Sequence, residues 1–210
     1  MITKEAELLL TFAKEPWKKY GFSELKKVSK KKSNSYLQRV IERLVKEEII
    51  TLEKVEHLPI YSLNISSSKA RAYAGFVLEH YGWNKKKIPH KDIQKLINKI
   101  HYKDYVFLIT GSYAKGTQTK HSDIDIVILI EDSLNPKEVY AELKLQAELN
   151  IPKIHLYVFK YSEFIQMLTN KQTNYGKEIV NNCIILTEGQ VYLRIIKEAI
   201  ENGFNDKELD

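Results

Sequence analysis

The chain has 210 residues, a formal net charge of +6, 43% hydrophobic residues and one cysteine. That length and apolar content predict a real hydrophobic core, in one large domain or two small ones. The chain shows no apolar run of membrane-spanning length and no signal-peptide pattern, and the lone Cys183 suits a reducing compartment, so we expect a soluble, cytoplasmic protein with no membrane partner.

The charge is unevenly distributed along the chain. Lys and Arg outnumber Asp and Glu by 13 to 9 over residues 1–64 and by 9 to 3 over residues 65–105. In the remaining 105 residues the acids outnumber the bases by 15 to 11. A basic first half and an acidic second half indicate two functional parts, of which the first is better suited to a polyanion.

Three helices followed by a hairpin are predicted for residues 1–64. The apolar spacing predicts helices over 3–12, 25–28 and about 36–48, and short strands over 49–52 and 60–63. The expected N-caps are Thr3, Ser23, and Ser33 or Ser35. This order resembles a winged helix-turn-helix domain, so we place its boundary near Asn64.

In such a domain the helix over residues 36–48 would be the recognition helix. Its outer face would present Tyr36, Arg39, Arg43 and Lys46, a mixture suited to a major groove. The expected phosphate contacts ahead of it are Lys26, Lys27, Lys30, Lys31 and Lys32. We therefore predict nucleic-acid binding, with duplex DNA ahead of RNA. A protein-binding module and a merely solvated surface are the alternatives, since the wing carries the acidic Glu53 and Glu56.

Residues 65–104 are predicted to be a helical linker. A helix over 66–83 would turn Ala70, Tyr73, Val77 and Leu78 inward, and a second helix covers 93–100. Positive charge is densest here. A solvated connector is favoured over a nucleic-acid contact.

The stretch from residue 105 to 131 carries the chemistry. An apolar run over 105–109 leads into Gly111-Ser112, and a second run over 126–130 is entered through Asp123-Ile124-Asp125. Strand alternation puts Asp123 and Asp125 on one face, where neighbouring carboxylates call for a cation such as Mg²⁺ or Mn²⁺. A Gly-Ser turn opening a helix offers backbone N–H groups to phosphate. Together these features indicate a nucleoside triphosphate with its metal.

Gly111-Ser112, ten residues and then Asp123-Ile124-Asp125 resemble the GS-x10-DxD signature of the minimal nucleotidyltransferases, in the polymerase-β-like superfamily. The resemblance implies a short mixed sheet flanked by helices over about residues 105–188, triphosphate held by Gly111 and Ser112, and metals bound by Asp123 and Asp125. Lys115 or Lys120 is placed to pair with a phosphate. We expect an α+β chain whose nucleotidyltransferase-like domain, with its C-terminal helices, covers residues 105–210.

The remaining predicted elements are helices from 136, over 164–168, around 179–180 and over 190–200, and strands over 154–159 and 184–186. The family pattern supplies a third carboxylate from the strand beside D-x-D. Here that strand holds His155 at the position that faces the site, and it contains no Asp or Glu. Three interpretations follow: His155 acts as general base or metal ligand, Glu131 or Glu163 supplies the carboxylate, or the site binds nucleotide without turnover. Taken alone, His155 is most simply a hydrogen-bonded structural residue.

The favoured function is transfer of a nucleoside monophosphate, AMP from ATP or the equivalent from another NTP, to a macromolecular acceptor. The alternatives are a non-catalytic DNA-binding regulator that senses nucleotide, and an antitoxin-like partner of a HEPN-type toxin. A homodimer is left open.

Overall fold

The computed structural model describes residues 4–29 and 33–205. The N-terminal region holds α1 (Lys4–Lys14), β1 (Tyr20–Gly21), α2 (Phe22–Val28), α3 (Asn34–Lys46), β2 (Ile50–Val55) and β3 (Leu58–Leu63). Ser33 caps α3 by accepting a hydrogen bond from Tyr36 N. The apolar faces of α1 and α3 meet in one core, with Leu8, Phe12, Leu37 and Ile41 buried.

The hairpin of β2 and β3 turns through two residues, Glu56 and His57. Both have positive φ, 48° and 69°, which matches the twist of a tight antiparallel hairpin. The short β1 pairs with β3 and completes a three-stranded sheet of order β1-β3-β2. Three helices and a hairpin thus follow one another in the predicted order, with one strand more than the sequence indicated.

The rest of the described chain is built around a second sheet, which has four strands. Its strands are β4 (Val106–Thr110), β5 (Ile124–Ile130), β6 (Ile154–Lys160) and β7 (Ile184–Thr187). Around it lie α4 (Ser68–Trp83), α5 (His90–Ile97), α6 (Gly111–Lys115), α7 (Pro136–Glu148), α8 (Tyr161–Thr169), α9 (Tyr175–Asn181) and α10 (Gly189–Glu201). The order is β6-β5-β4-β7; β5 and β6 are parallel and the other pairs antiparallel. The expected α+β class and mixed sheet are confirmed.

Helices cover both faces of β4 and β5. Alternate residues divide between two cores: Val106, Leu108, Val127 and Leu129 in one, Phe107, Ile109, Ile126 and Ile128 in the other. The first core continues through α8 and α10 into the N-terminal region, and the second contains α5 and α7. Burial on both faces explains why these strands are continuous apolar runs.

Helix α4 lies in the stretch predicted to be a linker, but it packs directly against β7 of the second sheet and against α10. A Cβ at Gly75 would lie 2.3 Å from Gln190 N, so this glycine allows α4 and α10 to touch. Glu79 accepts a hydrogen bond from Gly189 N at 2.7 Å, and Trp83 Nε1 donates to Leu186 O at 2.8 Å. This close packing joins α4 to the end of β7 and the start of α10.

Several local predictions were wrong or lie outside the described residues. Tyr73 is 53% exposed instead of inward. The buried face of α4 holds Ala70, Ala74, Gly75, Val77 and Leu78, and Gly75 lies against the backbone of α10. Ser23 lies inside α2, whose N-cap is Gly21. The cap assigned to Thr3 falls outside the described part of the chain. Within residues 4–29 and 33–205, none of the helices is long and apolar enough to cross a bilayer.

Candidate functional site

The candidate site lies at one end of three neighbouring strands of the second sheet, β4, β5 and β6. Thr110, the last residue of β4, is the register partner of Asp125 in β5, and Asp125 is in turn the partner of His155 in β6. Asp123 comes just before β5, and Ile124 N donates to Lys153 O at 2.9 Å, which holds the entry to the strand. Strand pairing therefore brings together residues up to 45 positions apart in the chain.

The Gly-Ser turn lies against one of the two acids, Asp125. Gly111 has φ +65°, and a Cβ placed on it would lie 2.1 Å from Asp125 Oδ2. Both facts restrict this position to glycine. Any other residue would be strained by the left-handed backbone conformation, and its Cβ would clash with the Asp125 carboxylate. Helix α6 begins here with Thr110 as N-cap and no side-chain cap. Its first N–H groups are thus left for another acceptor.

His155 lies between the two carboxylates. Its Nε2 is 3.2 Å from Asp123 Oδ2 and its Nδ1 is 3.5 Å from Asp125 Oδ1. The side chains of Asp123, Asp125 and His155 are 39%, 27% and 44% exposed, so all three are accessible from solvent. When protonated on both nitrogens, the imidazole offsets the repulsion between the two acids.

The oxygen pair fits a hard divalent cation only in part. Mg²⁺ is commonly held by one or two carboxylates together with substrate phosphates and water, and Asp123 and Asp125 offer that number of ligands. Among the residues that the structure describes, no group of three or more His, Cys, Asp or Glu side chains is arranged to hold a metal ion. The ring nitrogens of His155 point at the carboxylates, and the three donors do not converge on one point. A metal here depends on ligands brought by the substrate.

The alternative acids for the third carboxylate lie at the other end of the sheet. Glu131 follows the far end of β5, six residues from Asp125 and hence roughly 20 Å away along an extended strand. Glu163 accepts a hydrogen bond from Lys160 N at 2.8 Å, after the end of β6. Of the three interpretations, the one in which Glu131 or Glu163 supplies the carboxylate is therefore disfavoured, and His155 is the residue of β6 that contacts the two aspartates.

The lysines expected near the phosphates are exposed. Lys115 lies in the last turn of α6, and Lys120 lies in the loop before Asp123. Neither pairs with an acid of the described residues. Both stay candidates for phosphate contact.

An aromatic group beside the site was not predicted. Tyr157 and Phe159 of β6 stack at 6.5 Å between ring centroids, and Tyr175 of α9 lies 5.0 Å from Tyr157. Burial raises the pKa of Tyr175, and the nearby Tyr157 and the charge of Asp125 raise it further. The two-residue spacing from His155 places Tyr157 and Phe159 on the same face of β6 and could have identified them. Tyr175 comes from a distant helix and carries no such signal.

The residues expected to contact nucleic acid differ in their exposure and in their ion pairs. Tyr36 is half-buried against the N-terminal core and Arg39 is exposed. Arg43 is engaged on both sides: its Nη1 lies 3.1 Å from Glu5 and its Nε 3.1 Å from Glu47. These interactions raise its pKa, the hydrogen bond to Glu47 most of all. Lys31 and Lys32, with Lys30, lie outside the described residues.

On the hairpin of β2 and β3, Glu53 pairs with Lys19 at 2.7 Å. One of the two acids that were expected to oppose a DNA backbone is therefore compensated locally by a base from the segment between α1 and β1.

Comparison with known proteins gives one match. Residues 90–186 match the family model described as a nucleotidyltransferase domain. No curated protein and no solved structure matched the chain. The matched range includes the Gly-Ser turn, both aspartates and His155. The match supports a nucleotidyltransferase domain over residues 90–186, with nucleotidyl transfer as its general activity.

Proposed function

We propose that the protein is a metal-dependent nucleotidyltransferase that moves a nucleoside monophosphate, AMP from ATP, to a hydroxyl group of a macromolecular acceptor. One observation carries the proposal: the Gly111 turn touches the Asp125 carboxylate. A phosphate cradle and a cation-binding pair are thus parts of one site, which suits a triphosphate that arrives with its metal.

Each residue has a role in this proposal. The N–H groups at Gly111 and Ser112 bind the triphosphate, with Lys115 adding charge. Asp123 and Asp125 hold Mg²⁺ or Mn²⁺, which when bound neutralises the phosphates and lowers the pKa of a coordinated hydroxyl. His155 accepts the proton of the acceptor hydroxyl, because neutral imidazole can do so at neutral pH.

We further propose that the N-terminal region is a winged helix that brings the transferase to nucleic acid, with duplex DNA ahead of RNA. The succession of α1, β1, α2, α3 and the hairpin supports this proposal. So does the exposed Arg39 on α3. Arg43 is a weaker candidate, since Glu5 and Glu47 already neutralise it.

The test is transfer of label from α-³²P-labelled NTPs. The protein is offered each NTP with Mg²⁺ or Mn²⁺, alone, with total RNA, with DNA and with proteins that copurify with it. We expect pyrophosphate release and a labelled macromolecule, with ATP preferred. Absence of both with every NTP, metal and acceptor would contradict the proposal.

A second function is favoured by the position of His155. An imidazole that contacts both carboxylates is suited to a site that binds nucleotide without turning it over. The protein would then be a DNA-binding regulator that senses nucleotide. Calorimetry that finds ATP binding, together with salt-sensitive DNA binding and no pyrophosphate release, would favour this function. Copurification with a small helical HEPN-type toxin would favour the antitoxin-like form of the transferase.

A further inference from the structure

A cleft of about 440 Å³ lies between the N-terminal region and the nucleotidyltransferase domain. Helices α1 and α4 line it together with the segment from the end of α9 to the start of β7. The lining includes the apolar residues Leu10, Trp17, Leu78 and Val180. It also includes polar and charged residues of both signs, among them Lys14, Tyr81, Lys85, Glu7 and Glu15. Its size is within the range of small-molecule sites.

Two lysines converge on one tyrosine in this cleft. Lys14 Nζ lies 3.8 Å and Lys85 Nζ 5.9 Å from the centroid of the Tyr81 ring. Within the described part of the chain, neither ammonium group forms an ion pair with a carboxylate. Glu15 also lines the cleft, but it accepts the hydroxyl hydrogen bond of Tyr20 at 2.6 Å.

The field is positive at the Tyr81 hydroxyl, although the acids Glu7 and Glu15 also line the cleft. Burial acts to raise the pKa of the Tyr81 phenol, yet the charges and hydrogen bonds of Lys14 and Lys85 outweigh it, and the pKa lies below its ordinary value. Two ammonium groups beside one ring repel each other. A bound anion relieves that repulsion, as a cation does for neighbouring carboxylates.

The walls of the cleft also hold both ends of α6. Lys85 Nζ donates a hydrogen bond to Ala114 O near the end of this helix. Asn182 O accepts one from Thr110 Oγ1, at 3.0 Å, just before the helix begins. A molecule in the cleft would therefore lie against the elements that position the Gly-Ser turn, while touching α1 of the N-terminal region.

We propose that this cleft binds a small molecule with a phosphate group and an apolar or aromatic body, the phosphate between Lys14 and Lys85 and the body against Trp17 and Leu78. The site is separate from the Asp123–Asp125 pair and does not depend on catalysis there. It is formed jointly by the N-terminal region and the nucleotidyltransferase domain.

Calorimetry with AMP, pyrophosphate and adenosine tests this site, with the full chain in EDTA. Without a divalent cation the aspartates repel anions, so binding at the lysines is observed separately. We expect one AMP site, weaker binding of pyrophosphate and no binding of adenosine. Asp123→Asn with Asp125→Asn should retain the AMP site.

Variants of the two lysines decide the location. Lys14→Gln with Lys85→Gln should weaken AMP binding at least tenfold, whereas the exposed Lys144→Gln on α7 should change it less than twofold. Lys85 also holds α6, so its substitution could disturb the fold. The single Lys14→Gln variant, on the exposed side of α1, avoids this problem, and we expect it to lower the affinity for AMP at least threefold. Absence of AMP binding to the wild type, or equal affinity in wild type and the Lys14→Gln variant, would overturn the proposal.

Discussion

The acidic cluster and the basic helix of this molecule both carry concentrated charge, but only in the cluster do side chains from neighbouring strands contact one another at a shared site. In the second sheet, pairing places Asp125 between Thr110 and His155. On α3, Arg39 is exposed while Arg43 is bound to Glu5 and Glu47. Strand pairing fixes which side chains lie next to each other, whereas the charges on a helix surface are readily neutralised by ion pairs with neighbouring elements. A cluster of charge in the sequence is therefore weaker evidence for a site than charged residues on paired strands.

The largest expected effect comes from removing the acidic pair. Asp123→Asn with Asp125→Asn should reduce pyrophosphate release on the order of a thousandfold, because phosphoryl transfer depends on charge stabilisation more than on covalent help. Binding of a labelled DNA duplex should not change, since α3 is untouched. Asp92→Asn, an acid on α5, is the matched control. Equal loss in the control, or activity retained in the double variant, would contradict the assigned roles.

A second variant tests the contact between the turn and the acids. Gly111→Ala should lower the free energy of unfolding by roughly 3 kcal/mol, through its left-handed backbone and the clash with Asp125. It should also abolish nucleotide transfer. Gly116→Ala has φ +77° but open space around its Cβ position, so it should lose only about 1–2 kcal/mol and keep most activity. Denaturant unfolding of both variants measures the difference. Equal losses of unfolding free energy would show that the clash with Asp125 contributes nothing.

His155 variants separate catalysis from mere charge balance. His155→Asn should lower turnover about a hundredfold if the imidazole acts as general base. His155→Asp should retain more activity than His155→Asn, because a carboxylate can perform the same proton transfer and can bind the metal. Initial rates at saturating ATP measure both. Unchanged turnover in His155→Asn would leave this residue with a structural role.

The smallest expected effect concerns the basic helix. Arg39→Gln should weaken binding of a DNA duplex severalfold and reduce the slope of log affinity against log salt by about one. Arg43→Gln should change the slope less, since its charge is already shared with two carboxylates. Fluorescence anisotropy at several salt concentrations gives both slopes. A larger change for Arg43 than for Arg39 would reverse the proposed order of contacts.

Much of the second sheet was predictable because its strands are continuous apolar runs with burial on both faces. The alternation of β5 and β6 also predicted that Asp123, Asp125 and His155 share a face. The alternation of side chains along a strand follows from the backbone alone, so it can be predicted without knowing what packs around the strand.

Contacts between distant segments were not predictable. Tyr175 packs against Tyr157 from α9, and Glu5 of α1 pairs with Arg43 of α3; neither contact could be predicted from local spacing. Tyr73 was placed inward because large apolar residues usually mark the buried face. Helix α4 buries Val77 and Leu78 as predicted, but the rest of its buried face consists of small residues such as Ala74 and Gly75, because the backbone of α10 lies directly against Gly75.

The most direct test of the central claim is electron paramagnetic resonance of Mn²⁺ titrated into the protein with and without ATP. We expect tight Mn²⁺ binding only when ATP is present, because Asp123 and Asp125 supply two ligands and the triphosphate supplies others. That binding should be lost in the Asp123→Asn, Asp125→Asn variant. Mn²⁺–ATP binding of equal strength in wild type and this variant would contradict it.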